Sequence, residues 1–239
     1  MTETKEDAPG ERLDRLLMGA AQALRTPLNA VVSFTEVLLM ELPGSVNEEQ
    51  RRQLRNVRSG AHLLEMTIDN VLDLVRIETE TMDMPLTSVD VGAVASKVRS
   101  KLQGFAEEKG LRLTVQIPAG MTFLTNERAL SRILMNLVSN ALSFTDAGGV
   151  QVLGVLSDGV GAARVDVIDT GAGLPELQRE RLFEPLERGP SREGDTRGGA
   201  GLGLHVSCRL ADLLGTEIVV QSRPGRGSRV SLILPRKGR

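Results

Sequence analysis

The sequence predicts a long helical hairpin that pairs with a second copy into a four-helix bundle, followed by an α/β sandwich. Three observations carry this prediction. Two apolar stripes at helical spacing fill the first third of the chain, a Pro43-Gly44-Ser45 break separates them, and beyond Met84-Pro85-Leu86 shorter segments alternate between strand-like and helical periods.

From Glu11 to about Leu42, apolar residues fall at Leu13, Leu16, Leu17, Ala20, Leu24, Leu28, Val31, Val32, Leu38 and Leu39, in steps of three and four. Such spacing makes one amphipathic helix. A second run, from about Asn47 to Glu78, carries Leu54, Val57, Ala61, Leu64, Ile68, Val71, Leu72 and Val75. A lone hairpin buries only one side of each stripe, so a homodimer is expected. The alternative is that the hairpin packs on the rest of its own chain. Residues 1–10 read as a polar tail, 11–82 as the hairpin and 83–239 as the second domain. That domain reads as a helix at 91–109, a strand at 111–117, a helix at 126–143, strands near 149–156 and 162–168, a helix near 202–214, and strands near 217–222 and 228–234. Residues 187–201 are too polar and glycine-rich to pack well and are expected to form a mobile loop.

Composition removes several function classes. The 29 basic and 31 acidic residues among 239 leave no field that points to nucleic acid or to an anionic membrane. Trp and Tyr are absent and Phe occurs five times, which argues against stacking platforms for single-stranded nucleic acid. Cys208 has no intrachain mate, so no internal disulfide forms, and it reads as a small buried helix residue in a reducing compartment. No stretch approaches the ~20 apolar residues needed to cross a bilayer, and the start MTETKEDAPGER lacks an apolar signal core. A cytoplasmic protein without membrane insertion is expected.

The chemistry-bearing residues lie in the second domain. LSRILMNLVSNALSFT sets Asn136 and Asn140 one turn apart on one helix face, within reach of a common bound group, and an amide oxygen there suits a magnesium ion that also holds phosphates. In VIDTGAGL, Asp169 ends a strand before Gly171 and Gly173, placing a carboxylate where it can accept a hydrogen bond from an amino group such as that of adenine. Gly198, Gly199, Gly201 and Gly203 precede a helix, so backbone N–H groups and a positive helix end are offered to phosphate. Gly225-Arg226-Gly227-Ser228 joins the last two strands.

Taken in this order, NLVSNALSFT, DTGAGL, LFEPLERG, GGAGLGL and GRGSRVSLILP resemble the N, G1, F, G2 and closing boxes of the GHKL ATP-binding superfamily, whose Bergerat fold is an α/β sandwich with a mobile lid. The resemblance, over roughly residues 11–235, implies ATP with magnesium as cofactors. It implies that Asn140 binds magnesium, Asn136 supports the phosphates, Asp169 reads the adenine, and Gly171, Gly173, Gly199, Gly201, Leu202 and Gly203 line the site. The lid is expected at 186–200, with Arg188 touching the terminal phosphate. Ser143 departs from the pattern, because histidine kinases commonly place a basic residue just before the Phe-Thr pair. ATPases and serine kinases of the superfamily resemble one another in a glutamate one turn before the magnesium asparagine; Asn136 stands there instead, which argues against both chemistries.

In the first helix, AAQALRTPLNAVVSFTEVLL resembles the H box of sensor histidine kinases, commonly S-H-E-L-R-T-P-L, and Leu24 to Ala30 match it. Gln22 falls on the phosphate-accepting histidine and Ala23 on the following acid. An imidazole attacks phosphorus through a nitrogen lone pair outside its π system, whereas the amide lone pair of Gln22 is delocalised, and Ala23 lacks the carboxylate that helps move the imidazole proton. Pro27 is expected to kink the helix. His62 and His205 lack the flanking acid and Thr-Pro of an H box. The resemblance therefore implies a regulatory pseudokinase that binds ATP, acting with a response regulator or sensor protein. Its rivals are an active sensor histidine kinase whose acceptor was replaced or lies elsewhere, and a response-regulator phosphatase or docking scaffold, because Thr26 matches the position at which the family holds an attacking water. The short start leaves no room for a sensor domain before the helices, so the signal is expected from another polypeptide or a longer parent chain.

Overall fold

The computed structural model describes residues 9–79, 82, 84–156, 163–176 and 201–234, with side chains from Leu16 onward. The chain divides into two compact units, Met1–Asp83 and Met84–Arg239.

The first unit is an antiparallel hairpin of α1 (Pro9–Leu39) and α2 (Glu48–Glu78). Ala21, Leu28, Ala61, Ile68 and Leu72 form its small core, with Leu17 and Val32 packed against them. Arg25 of α1 pairs with Asp69 of α2, and Arg51 pairs with Glu41 beside the turn. α1 stops short of the expected Leu42 because Glu41 turns into the left-handed region, φ 58°. α2 opens with a reciprocal capping box: Asn47 accepts from the Gln50 amide at 2.8 Å, and the Gln50 side chain accepts from the Asn47 amide at 2.9 Å. Pro27, where a kink is expected, lies inside α1. α1 runs unbroken through it, and the ring only removes the bond to the Ala23 carbonyl. Leu16, Leu24, Val31, Phe34, Leu38, Val57 and Leu64 remain exposed on the hairpin, Phe34 to 70%.

The second unit holds a five-stranded sheet in the order β2-β4-β5-β7-β6, made of β2 (Arg112–Gln116), β4 (Gly149–Leu156), β5 (Ala163–Asp169), β6 (Glu217–Ser222) and β7 (Ser228–Leu234). Only the β2–β4 pairing is parallel; the remaining neighbours are antiparallel. Among the described residues, three helices pack on the sheet: α3 (Val91–Glu108) against β2, α4 (Glu127–Ser143) on β4 and β5, and α5 (Leu202–Leu213) against β6. Val94 and Val98 of α3, Leu130, Ile133 and Leu134 of α4, Val206 and Leu210 of α5, and Val152, Val165 and Leu232 from the strands form the core, each at most 2% exposed. Alternation explains the strands: in β4, Val150 and Val152 are buried while Gln151 and Leu153 on the other face are half-exposed.

Two elements escape the sequence reading. β1 (Thr87–Asp90) and β3 (Thr122–Thr125) pair antiparallel as a separate ribbon. Each is only four residues long, and their partners are distant in sequence, so no local period marks them. They deliver the chain to Asp90 and Asn126, whose side chains accept from the amides of Ala93 and Ala129, both at 3.0 Å, and thereby start α3 and α4. At the other end of α4, which carries no basic residue in its last turn, Lys109 Nζ donates to the carbonyls of Leu142 and Ser143, the latter at 3.0 Å. A cation from α3 thus serves the C-terminus beside Ser143.

Candidate functional site

Asp169 ends β5 and is 9% exposed. Its Oδ1 accepts from the Gly171 amide at 2.8 Å and from the Ser228 amide at 3.2 Å, so both donors grip one oxygen. Burial pushes the carboxyl above the usual carboxylate range, and the N–H groups of Gly171 and Ser228 oppose that shift. The loop after β5 is packed tightly on the β6–β7 turn. Gly173, at φ 66°, leaves no space for a Cβ, which would run into the Arg223 carbonyl; a Cβ on Gly227, at φ 76°, would strike the Asp169 carbonyl. These two glycines are required by close approach of backbone to backbone. Beside Asp169, among the described residues, a concavity of about 570 Å³ opens between β5 and the β6–β7 turn, rimmed by Arg223, Arg226 and Arg229. Thr170 completes the loop: its hydroxyl donates to the Ala147 carbonyl at 2.8 Å and accepts from the Gly149 amide at 3.0 Å.

The asparagines of α4 are not equivalent. Asn140 is half-exposed, whereas Asn136 is 1% exposed and its Nδ2 donates to the Gly203 carbonyl at 2.9 Å and approaches Ser207 Oγ at 3.3 Å. Packing of α4 against α5 commits the Asn136 amide nitrogen to the protein. Among the described residues its buried Oδ1 has no hydrogen-bond partner. Gly201 caps α5, and Leu202 and Gly203 form its first turn, so Asn136 anchors the start of that helix. Sequence reasoning could not separate the two asparagines, since helical spacing fixes a common face but not the neighbouring element. Arg188, Gly199 and the expected lid 186–200, with Phe183 and Pro185, lie outside the described residues.

On α1, Gln22, Ala23 and Thr26 are all exposed, and the Thr26 hydroxyl sits 3.4 Å from the Gln22 carbonyl. The acceptor position is therefore accessible, but it carries an amide. His62 of α2 has a half-exposed side chain with Nδ1 3.6 Å from Glu65 Oε2. The sequence reading sought an acid directly after each histidine; the helix supplies one three residues later. Cys208 is half-buried, and burial pushes its thiol up to about 12, with Asp212 adding to the shift, so it carries no thiolate at neutral pH.

Comparison with known proteins agrees with this geometry. Residues 12–80 match the His Kinase A (phospho-acceptor) domain, and residues 125–238 match the histidine kinase-, DNA gyrase B-, and HSP90-like ATPase family. The sensor histidine kinase YcbM of Bacillus subtilis is 30% identical over 95% of this chain and 72% of its own length. The chain belongs to the sensor histidine kinase family. Histidine protein kinase DivJ of Caulobacter vibrioides is 34% identical over 92% of this chain, which spans 37% of that relative. Among solved structures, full-length ShkA in complex with AMPPNP is 30% identical and superposes with a TM-score of 0.65 over 92% of this chain and 45% of that one. The chain thus combines the helical hairpin of this kinase family with its mixed α/β ATPase domain. Among the described residues, no helix is long and apolar enough to cross a membrane.

Proposed function

We propose that this histidine-kinase-family chain binds ATP with magnesium but does not autophosphorylate at the usual position, and that it regulates a two-component or related pathway as a pseudokinase. The carrying observation is a contrast. Asp169 keeps an oriented, buried carboxylate, while the exposed acceptor position holds Gln22 followed by Ala23. The residues fit the nucleotide: Oδ1 is oriented by backbone amides, the carboxylate can accept from an exocyclic amino group, and the ShkA relative was solved with AMPPNP. Asn140 would hold magnesium together with the phosphates, since no cluster of His, Cys, Asp or Glu among the described residues offers a metal site by itself. Asn136 then acts indirectly, by holding the start of α5 in place for the phosphates. Bound magnesium would supply charge neutralisation at those phosphates.

Calorimetric titration of the chain with ATP, with and without magnesium, tests the reading. Magnesium-dependent binding is expected, and no heat at millimolar nucleotide would sink it. The exposed apolar stripe of Leu16, Leu24, Val31, Phe34 and Leu38 supports a homodimer that completes a four-helix bundle. Light scattering at micromolar protein should give twice the chain mass; a monomer mass refutes the pairing.

A second reading, an active kinase with its acceptor elsewhere, draws on the His62–Glu65 pair, in which the acid can orient one ring nitrogen and leave the other open. A third, phosphatase or docking action on a response regulator, draws on the exposed Thr26 hydroxyl. Incubation with a phosphorylated regulator distinguishes it, because only this reading predicts faster loss of the regulator's phosphate.

A further inference from the structure

We propose that Ser222 is a positioning residue for adenine recognition: its hydroxyl bolts together the two backbone segments that hold Asp169 Oδ1, and so sets where the carboxylate points. The proposal rests on the nucleotide reading above.

Ser222 closes β6 and is 9% exposed. Its Oγ accepts from the Leu174 amide at 2.7 Å, donates to the Gly227 carbonyl at 3.1 Å and lies 3.0 Å from Ser228 Oγ. Ser228, whose side chain also hydrogen-bonds the Asp169 carboxyl, has one proton to share between that carboxyl and Ser222. Leu174 belongs to the loop whose Gly171 amide binds Asp169, while Gly227 and Ser228 belong to the turn whose Ser228 amide binds the same oxygen. The hydroxyl therefore joins the two jaws of a clamp. A backbone bond from the Gly225 amide to the Ala172 carbonyl at 2.7 Å runs alongside it. The jaws must keep their separation, because a carboxylate gripped on one oxygen by donors from two segments rotates when either segment shifts. Strand pairing of Ser222 with Ser228 holds β6 against β7 but does not reach the loop after β5. The bond from Leu174 to Ser222 does. Removing it leaves the Gly225–Ala172 bond to tie that loop alone and leaves the Leu174 amide without its buried acceptor. The clamp acts on the Asp169 carboxylate, so its effect should fall on the purine amino group.

The test titrates the full chain and its variants with magnesium and either ATP or purine riboside triphosphate, which lacks the 6-amino group. Ser222→Ala is expected to weaken ATP binding about tenfold while changing binding of the amino-free analogue by less than about twofold, and Ser222→Thr should restore ATP binding. Equal losses for both nucleotides, as a merely structural role would give, or no loss for either, overturn the proposal. Failure of the unaltered chain to bind ATP overturns the nucleotide reading and this inference with it, whereas binding that ignores Ser222→Ala overturns this inference alone. Should Ser222→Ala fail to fold, Ser222→Cys keeps the volume with a weaker hydrogen bond, and the same difference between the two nucleotides must appear.

Discussion

On the pseudokinase reading, the double replacement Gln22→His with Ala23→Glu is expected to give a chain that takes up label from γ-labelled ATP, where the unaltered chain is expected to take up none. The change installs a nucleophile and its proton acceptor at an exposed position on α1, where Leu24 to Ala30 already match the H box. In the transfer, an imidazole nitrogen forms the bond to the γ-phosphorus, the bond from that phosphorus to the ADP oxygen breaks, and the ring proton passes to the introduced carboxylate. Phosphoryl transfer depends chiefly on positioning and charge stabilisation, which the nucleotide domain is proposed to retain. The label should be stable in alkali and lost in acid, as expected of a phosphorylated imidazole. Such label on the unaltered chain would end the pseudokinase reading, and His62→Ala would then show whether the His62–Glu65 pair carries it. No label on the double variant, despite measured ATP binding, would place a further defect in the nucleotide domain, with Ser143 the first position to restore to a basic residue.

Asp169→Asn should weaken ATP binding by about 30- to 150-fold, about 2–3 kcal/mol, more than loss of a single neutral hydrogen bond. The reason lies in the backbone clamp. The Gly171 and Ser228 amides need an acceptor on Oδ1, so the new carboxamide must turn its oxygen toward them and its NH₂ toward the nucleotide. An acceptor for the adenine amino group becomes a donor facing it. The same variant should gain relative affinity for purines with an oxygen at position 6, such as inosine triphosphate; unchanged preference between ATP and inosine triphosphate would contradict the assigned contact. Acid supplies a parallel test. Burial raises the Asp169 carboxyl above its ordinary 3.8, so the ionised form that accepts from adenine is lost at a higher pH than for an exposed aspartate. ATP affinity should therefore fall as pH is lowered through that raised pKa. Stability linkage has the opposite sense: a raised folded-state pKa contributes stability at low pH that is lost as pH rises through it. Loss of affinity on acidification without loss of folding, followed by calorimetry and circular dichroism, separates the two.

Much of the fold was legible because its signals are local. The apolar stripes and the alternating strands of the sheet each depend on neighbours a few residues away, and the structure places elements close to where the sequence put them. Pro27 lies inside α1, and Leu28, the next residue, is in the hairpin core. β1 and β3 were missed because four residues carry no period and their pairing is decided across α3 and β2.

For the candidate site, the sequence by itself determined residue types and order: a carboxylate before two glycines, an asparagine pair on one helix face, a glutamine where the family has histidine. Those are chemical identities, and no fold changes them. Tertiary structure alone decided their use. It buried Asn136 against Gly203, set Glu65 beside His62, and brought the Leu174 amide, Ser222 and Ser228 from separate stretches of chain into one clamp around Asp169. Except for the His62–Glu65 and Ser222–Ser228 pairs, these contacts join residues dozens of positions apart, and sequence spacing holds no information about which strand end will meet which loop.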